Sequence, residues 1–155
     1  EFRFRNIFSQ DALFPEGRFI VIEHQTPEVI WQPSLMVHAN GAVAFEEVVF
    51  CANPVGPTQD RLEAIIGVSA NQGSITLPGG GLVTVLDPGN FVTRFEGSAV
   101  PALPCAAAVV VAVDELAKTR ACLAAAEITP REMADGTLWV QSEMANGGIV
   151  VFKQA

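Results

Sequence analysis

The feature that most constrains this chain is an internal repeat. Glu47-Val48-Val49-Phe50-Cys51-Ala52-Asn53 reads as a strand, closed by Asn53 and Pro54. Thr58 to Ile66 follows as a short helix with Leu62, Ile65 and Ile66 on one face and Gly67 as its stop. Shifted by about 61 residues, the same order returns. Ala108 to Asp114 is a strand and Glu115 to Glu127 an amphipathic helix, with Asp114 placed as its N-cap. Asn53 falls on Asp114, Leu62 on Leu123 and Ala64 on Ala125 without a gap. Strand-like segments punctuated by glycine follow each helix. In the first copy they are Gly73 to Leu77, Leu82 to Leu86 and Phe91 to Phe95, separated by Pro78-Gly79-Gly80-Gly81 and Asp87-Pro88-Gly89-Asn90. In the second they are Arg131 to Ala134, Thr137 to Ser142 and Gly148 to Lys153, with turns at Asp135-Gly136 and Asn146-Gly147. The expected fold class is therefore α+β: two tandem βαβββ modules, residues 44–100 and 105–155. Set side by side they form a partial barrel, whose open face supplies a cavity.

Composition narrows what such a domain could serve. A chain of 155 residues, half of them apolar and 17% charged, can bury a core and is not disordered. Its longest apolar run, Cys105 to Val113, is too short for a bilayer and reads as a buried strand. A net charge of −8, with no cluster of Lys or Arg, argues against nucleic acid and anionic membrane as partners. Cys51, Cys105 and Cys122 have no CxxC spacing and no secretory leader precedes them, so free thiols in a reducing cytoplasm are expected. Pro78 to Gly81 is followed by a strand and no Lys-Ser/Thr, which makes it a turn rather than a phosphate loop.

The residues ahead of the repeat resemble a known family. Phe19-Ile20-Val21-Ile22-Glu23-His24-Gln25-Thr26-Pro27-Glu28-Val29-Ile30-Trp31, then His38-Ala39-Asn40-Gly41-Ala42, is similar to the linking region of glyoxalase-like proteins. Those proteins carry His-x-Thr-Pro-Glu-x-x-Trp and a His-Pro-Asn-Gly-Ala turn; here Ala39 replaces the proline. Ala145-Asn146-Gly147-Gly148-Ile149-Val150-Val151-Phe152 resembles the final strand of the glyoxalase, bleomycin-resistance and extradiol dioxygenase (vicinal-oxygen-chelate) superfamily. The resemblance implies that residues 44–155 are one paired-module domain. Residues 1–43 are then the tail of a preceding module plus linker, as a start at Glu1-Phe2-Arg3 without methionine also suggests.

The superfamily's chemistry uses a divalent metal in the cavity, held by His and Glu from the first and last strands of each module, as a Lewis acid. Placed on this chain, the first-strand positions fall on Glu46 and Ala107 and the last-strand positions on Thr93 and Val151. Glu46 alone can ligate, so the resemblance implies that the usual site is lost within 44–155 and that any metal belongs to the intact protein. A shift of one residue would bring in Glu47 or Arg94 without supplying a second-module ligand. Glu46 and Glu47 face opposite sides of one strand, and whichever enters the cavity could act as a general base if burial raised its pKa. His24 beside Glu23, with His38 if the linker folds back, is the other candidate metal set. Phe91, Phe95, Trp139 and Phe152 are candidate linings for an apolar ligand pocket.

Three functions fit these readings. One is a lyase or isomerase acting on a small oxygenated substrate. Another is a metal-free module that sequesters a small molecule, and the third is a structural or dimerisation domain with a filled cavity. Open sheet edges favour a homodimer in each case.

Overall fold

The computed structural model describes residues 1–100 and 102–155. The chain opens with a two-stranded antiparallel sheet, β1 (Phe4–Phe8) and β2 (Ile20–His24), in which Phe4 faces His24 and Phe8 faces Ile20. Short 3-10 turns at Pro27–Val29 and Pro33–Leu35 carry the chain to the repeat, each begun by a proline whose fixed φ suits a first turn.

The first repeat contributes β3 (Ala42–Cys51), α1 (Val55–Ile66), β4 (Ser74–Thr76), β5 (Leu82–Leu86) and a short helix α2 (Pro88–Arg94). The second contributes β6 (Cys105–Val113), α3 (Leu116–Ala125), β7 (Arg131–Glu132), β8 (Leu138–Val140) and β9 (Ile149–Gln154). Together the strands form one seven-stranded mixed sheet in the order β4-β5-β3-β6-β9-β8-β7. The two repeats meet where β3 runs antiparallel to β6, while β5 and β9 pair in parallel with the first strand of their own repeat. This is the α+β architecture that the repeat calls for, with the equivalent helices beginning at Val55 and Leu116.

One expected strand is absent. Phe91 to Phe95 is not the last strand of the first repeat; Pro88–Arg94 is helical and Phe95 ends it. Asp87 is its N-cap, accepting a hydrogen bond from the Asn90 amide at 3.0 Å, and Pro88 occupies the first turn, where its missing N–H costs nothing. Asp114 is not the cap of α3. Its carboxylate instead accepts from Lys118 Nζ at 2.8 Å, and the Leu116 amide donates to Gln154 Oε1 at 3.3 Å.

Side-chain alternation divides the core between the two faces of the sheet. On one face α1 lays Leu62 against Phe50, Val83 and Val85. On the same face α3 sets Leu116 and Leu123 against Val111, Val113, Leu138 and Phe152. The other face is covered by α2: Phe91 and Phe95, 1% and 0% exposed, pack with Val49, Cys51, Val110, Trp139 and Val151.

The N-terminal segment is tied to the repeat at equivalent points. Thr58 in α1 and Thr119 in α3, separated by the repeat length, are both fully buried. The Thr58 hydroxyl donates to the buried carboxylate of Glu16 at 2.7 Å, which also pairs with Arg61. The Thr119 hydroxyl donates to the Asn40 carbonyl at 2.7 Å, and the Asp114 amide to the Gly41 carbonyl at 2.8 Å. Gly41 has φ +77, and a β-carbon there would collide with the Asp114 carboxylate, so the Asn-Gly turn needs its glycine. Phe19 stacks on Phe50 with ring centroids 6.0 Å apart.

Candidate functional site

The open face of a paired-module sheet is where a cavity is expected, and in this chain its centre is solid. Phe91 and Phe95 lie 5.1 Å apart, and Phe95 meets Trp139 edge-on at 6.0 Å. Ala107 and Val151, at two of the positions where the resemblance implies ligands, are each 2% exposed within this packing. Thr93, at a third, sits on the exposed side of α2 and donates its hydroxyl to the Gly89 carbonyl at 2.8 Å. Phe91, Phe95 and Trp139 are therefore buried side chains that fill the cup, with Trp139 also bordering a second cleft beside Arg131 and Thr93. Phe152 lies on the opposite face, against α3.

Space remains at the rim. A cleft of about 630 Å³ opens between the start of β3, the Gly79–Gly81 turn, Arg94 at the end of α2, the β7–β8 turn and Lys153 on β9. Two ion pairs furnish it. Arg94 grips Glu47 with two parallel hydrogen bonds, 2.9 and 2.6 Å, and Lys153 Nζ reaches Glu46 at 3.0 Å. The β3–β6 register slips between Phe45 and Glu47, which lets both adjacent glutamates reach the cleft instead of one facing each side. Burial pushes the Glu47 carboxyl up, yet hydrogen bonds from Arg94 and Thr84 and the charges of Arg94 and Lys153 outweigh it. The net result is a carboxyl held below its ordinary value, the reverse of the raised pKa expected of a buried general base. Asp135 and Thr137 complete the polar lining, the Asp135 carboxylate accepting from the Thr137 amide at 3.0 Å.

The other candidate residues do not converge on this cleft. Glu23 and His24 alternate along β2, so they face opposite ways. Glu23 pairs with Arg5 at 3.2 Å in solvent. The His24 ring sits between Phe2 and Trp31, each 6.1 Å away, and its Nδ1 is buried without a hydrogen-bond partner. His38 is exposed, with its carbonyl closing the turn to Gly41. Among the described residues, no three His, Cys, Asp or Glu side chains gather closely enough to hold a metal ion. No described helix is long and apolar enough to cross a membrane.

The sequence singles out Glu46 and, one residue off, Glu47 and Arg94, but it shows neither that Arg94 pairs with Glu47 nor that Lys153 reaches Glu46. Arg94 was assigned to a strand, and its true place at the end of a helix carries it across to β3.

The sheet order, the repeat and the rim cleft together define an α+β fold of the glyoxalase-like kind. Comparison with solved structures agrees. The chain is similar to methylmalonyl-CoA epimerase from Mycobacterium tuberculosis, with a TM-score of 0.50, 13% identity, and 77% of this chain and 92% of that one covered. It is also similar to a methylmalonyl-CoA epimerase from Streptomyces coelicolor solved with 2-nitronate-propionyl-CoA, with a TM-score of 0.42, 10% identity, and 74% and 98% covered. At these identities the likeness is one of fold. No family model and no curated protein matches the chain.

Proposed function

We propose that this chain binds a small oxygenated molecule in the rim cleft without a resident metal. The observation that carries the reading is the filled cup. Phe91, Phe95 and Trp139 pack over Ala107 and Val151, leaving Glu46, Glu47, Arg94, Lys153, Asp135 and Thr137 as the polar groups facing open space. Glu46 and Glu47 are each paired with a cation and Asp135 adds a third carboxylate, so the cleft offers both donors and acceptors with a net negative charge. That suits a compact hydroxylated or carbonyl compound better than a dianion, whose charge would meet three carboxylates.

The isomerase alternative draws support from the epimerases that share the fold. It needs a base at the substrate, and Glu47 is the carboxylate nearest that role. Its ion pair with Arg94 makes it a weak one at neutral pH. Residues 1–43, with their own hairpin, fit the tail of a preceding module plus linker. A homodimer in the cytoplasm completes the reading: β4 and β7 end the sheet with open edges, and an acidic chain offers no basic patch for nucleic acid or membrane.

The test is calorimetric titration of polyols, hydroxy acids and 2-oxo aldehydes, with chelator present and again with added Zn or Ni. Binding that survives chelator and weakens at least tenfold in Glu47→Gln supports the reading. Saturable binding that appears only with added metal overturns it.

A further inference from the structure

Cys51 closes β3 and Cys105 opens β6, and the antiparallel register sets them directly opposite one another. Residues so paired have Cα atoms about 4.5–5.5 Å apart and project to the same face of the sheet. A disulfide accepts Cα separations of about 4.4–6.8 Å. Both side chains enter the same apolar cluster beneath α2: Cys51 is fully buried in it, and the half-buried Cys105 packs against it. Burial pushes the Cys51 thiol up to about 11, with Cys105 and then Asp87 adding to the rise, so the two sulfurs feel one another. Burial raises Cys105 as well. The third cysteine, Cys122, sits on α3 against the opposite face and belongs to neither strand.

We propose that Cys51 and Cys105 form a redox pair that closes into a cross-strand disulfide when the chain meets a small disulfide oxidant, joining the first strands of the two repeats. The chemistry balances with oxidised glutathione. Cys105, the more accessible thiol, loses its proton and attacks one glutathione sulfur, releasing the other half as a thiolate. Cys51 then loses its proton and attacks the Cys105 sulfur of the mixed disulfide, displacing the second glutathione thiolate. Two protein thiols are oxidised, one oxidised glutathione becomes two thiols, and the two protons end on the leaving thiolates. Because both protein thiols hold their protons tightly, closure in the folded chain is slow at neutral pH and quickens as pH rises.

The experiment refolds the reduced, denatured chain in a glutathione buffer, so that access to the buried sulfur does not limit the outcome. Free thiols are then alkylated under denaturing conditions and the product is mapped by mass spectrometry. The expected product is lighter than the reduced chain by two hydrogens, takes alkyl label only at Cys122, and gives a Cys51–Cys105 linked peptide. Its thermal midpoint lies about 10 °C above that of the reduced chain, the scale for a disulfide closing a loop of this length in a domain of this size. Cys122→Ser keeps the shift and Cys105→Ser loses it; if Cys105→Ser does not fold, the thiol map of the unmodified chain decides alone. Three labelled cysteines under oxidising conditions, a bond involving Cys122, or a bond between chains would overturn the proposal.

Discussion

Replacing Phe95 with alanine tests the claim that the cup is filled. The ring is fully buried, meets Phe91 at 5.1 Å and Trp139 at 6.0 Å, and carries the Arg94 guanidinium 5.3 Å from its centroid. Truncating a buried Phe costs about 3–5 kcal/mol, the transfer of the ring plus the cavity it leaves. At roughly 2–4 °C per kcal/mol for a chain of this size, the midpoint should fall by about 10 °C. Walls of Val49, Val110, Val151 and Phe91 are apolar, so the void stays dry and admits benzene or a similar solute. Benzene at about ten times its dissociation constant should then return about 1.4 kcal/mol to the variant and nothing to the parent. Denaturant unfolding with and without benzene reads both effects, and Phe45→Ala is the control. Phe45 is 75% exposed at the cleft mouth, and its loss should stay within about 0.5 kcal/mol. A Phe95→Ala loss below about 1 kcal/mol, or an equal benzene response in both proteins, would refute the packed-cup account and reopen the cavity as a ligand site.

Other substitutions probe the remaining contacts. Thr119→Val keeps the shape of the side chain but abandons the Asn40 carbonyl, and should cost about 1–2 kcal/mol in denaturant unfolding. Gly41→Ala forces a side chain into φ +77 against Asp114 and should lower the midpoint by several degrees, with Asp114→Gly partly restoring it. Glu16 is pushed up by burial, but hydrogen bonds from Arg61 and Thr58 outweigh that, so its folded pKa lies below the ordinary 4.5. Stability from this pair is thus complete above the ordinary value and lost as pH falls through the lowered one. The acid limb of an unfolding-versus-pH curve should flatten in Glu16→Gln, and an unchanged limb would discard the assignment. Ligand affinity in the cleft should likewise fall on acidification below the ordinary glutamate value as Glu47 protonates, and stay flat from there to neutrality.

Much of the architecture could be read from the residues, because helix and strand periods were unambiguous where the repeat was strongest. Leu82–Leu86 has the bounds its pattern gives, and the buried run Cys105–Val113 is one strand. The failure at Phe91–Phe95 has a definite cause. Two aromatic residues four apart satisfy both the two-residue strand period and one face of a helix, so spacing alone could not decide. The deciding signal was Asp87-Pro88, a helix cap followed by a first-turn proline. From that one misassignment came the displaced Arg94 and the hidden pairing with Glu47. Glu46 could be picked out because it aligned with a ligand position. Lys153 could not, since its partner is more than a hundred positions away in sequence and nothing local announces it.

The twin threonines carry a practical consequence. Repetition suggests cutting the chain before β3, yet each repeat helix spends a fully buried hydroxyl on residues ahead of that cut. Strip away Glu16 and Asn40, and Thr119 loses the acceptor of its hydroxyl while Thr58 keeps only Arg61. A piece cut before β3 therefore loses polar partners that both repeat helices use. Anyone seeking to graft one half of this molecule onto another scaffold must bring along a length of chain that belongs to neither half.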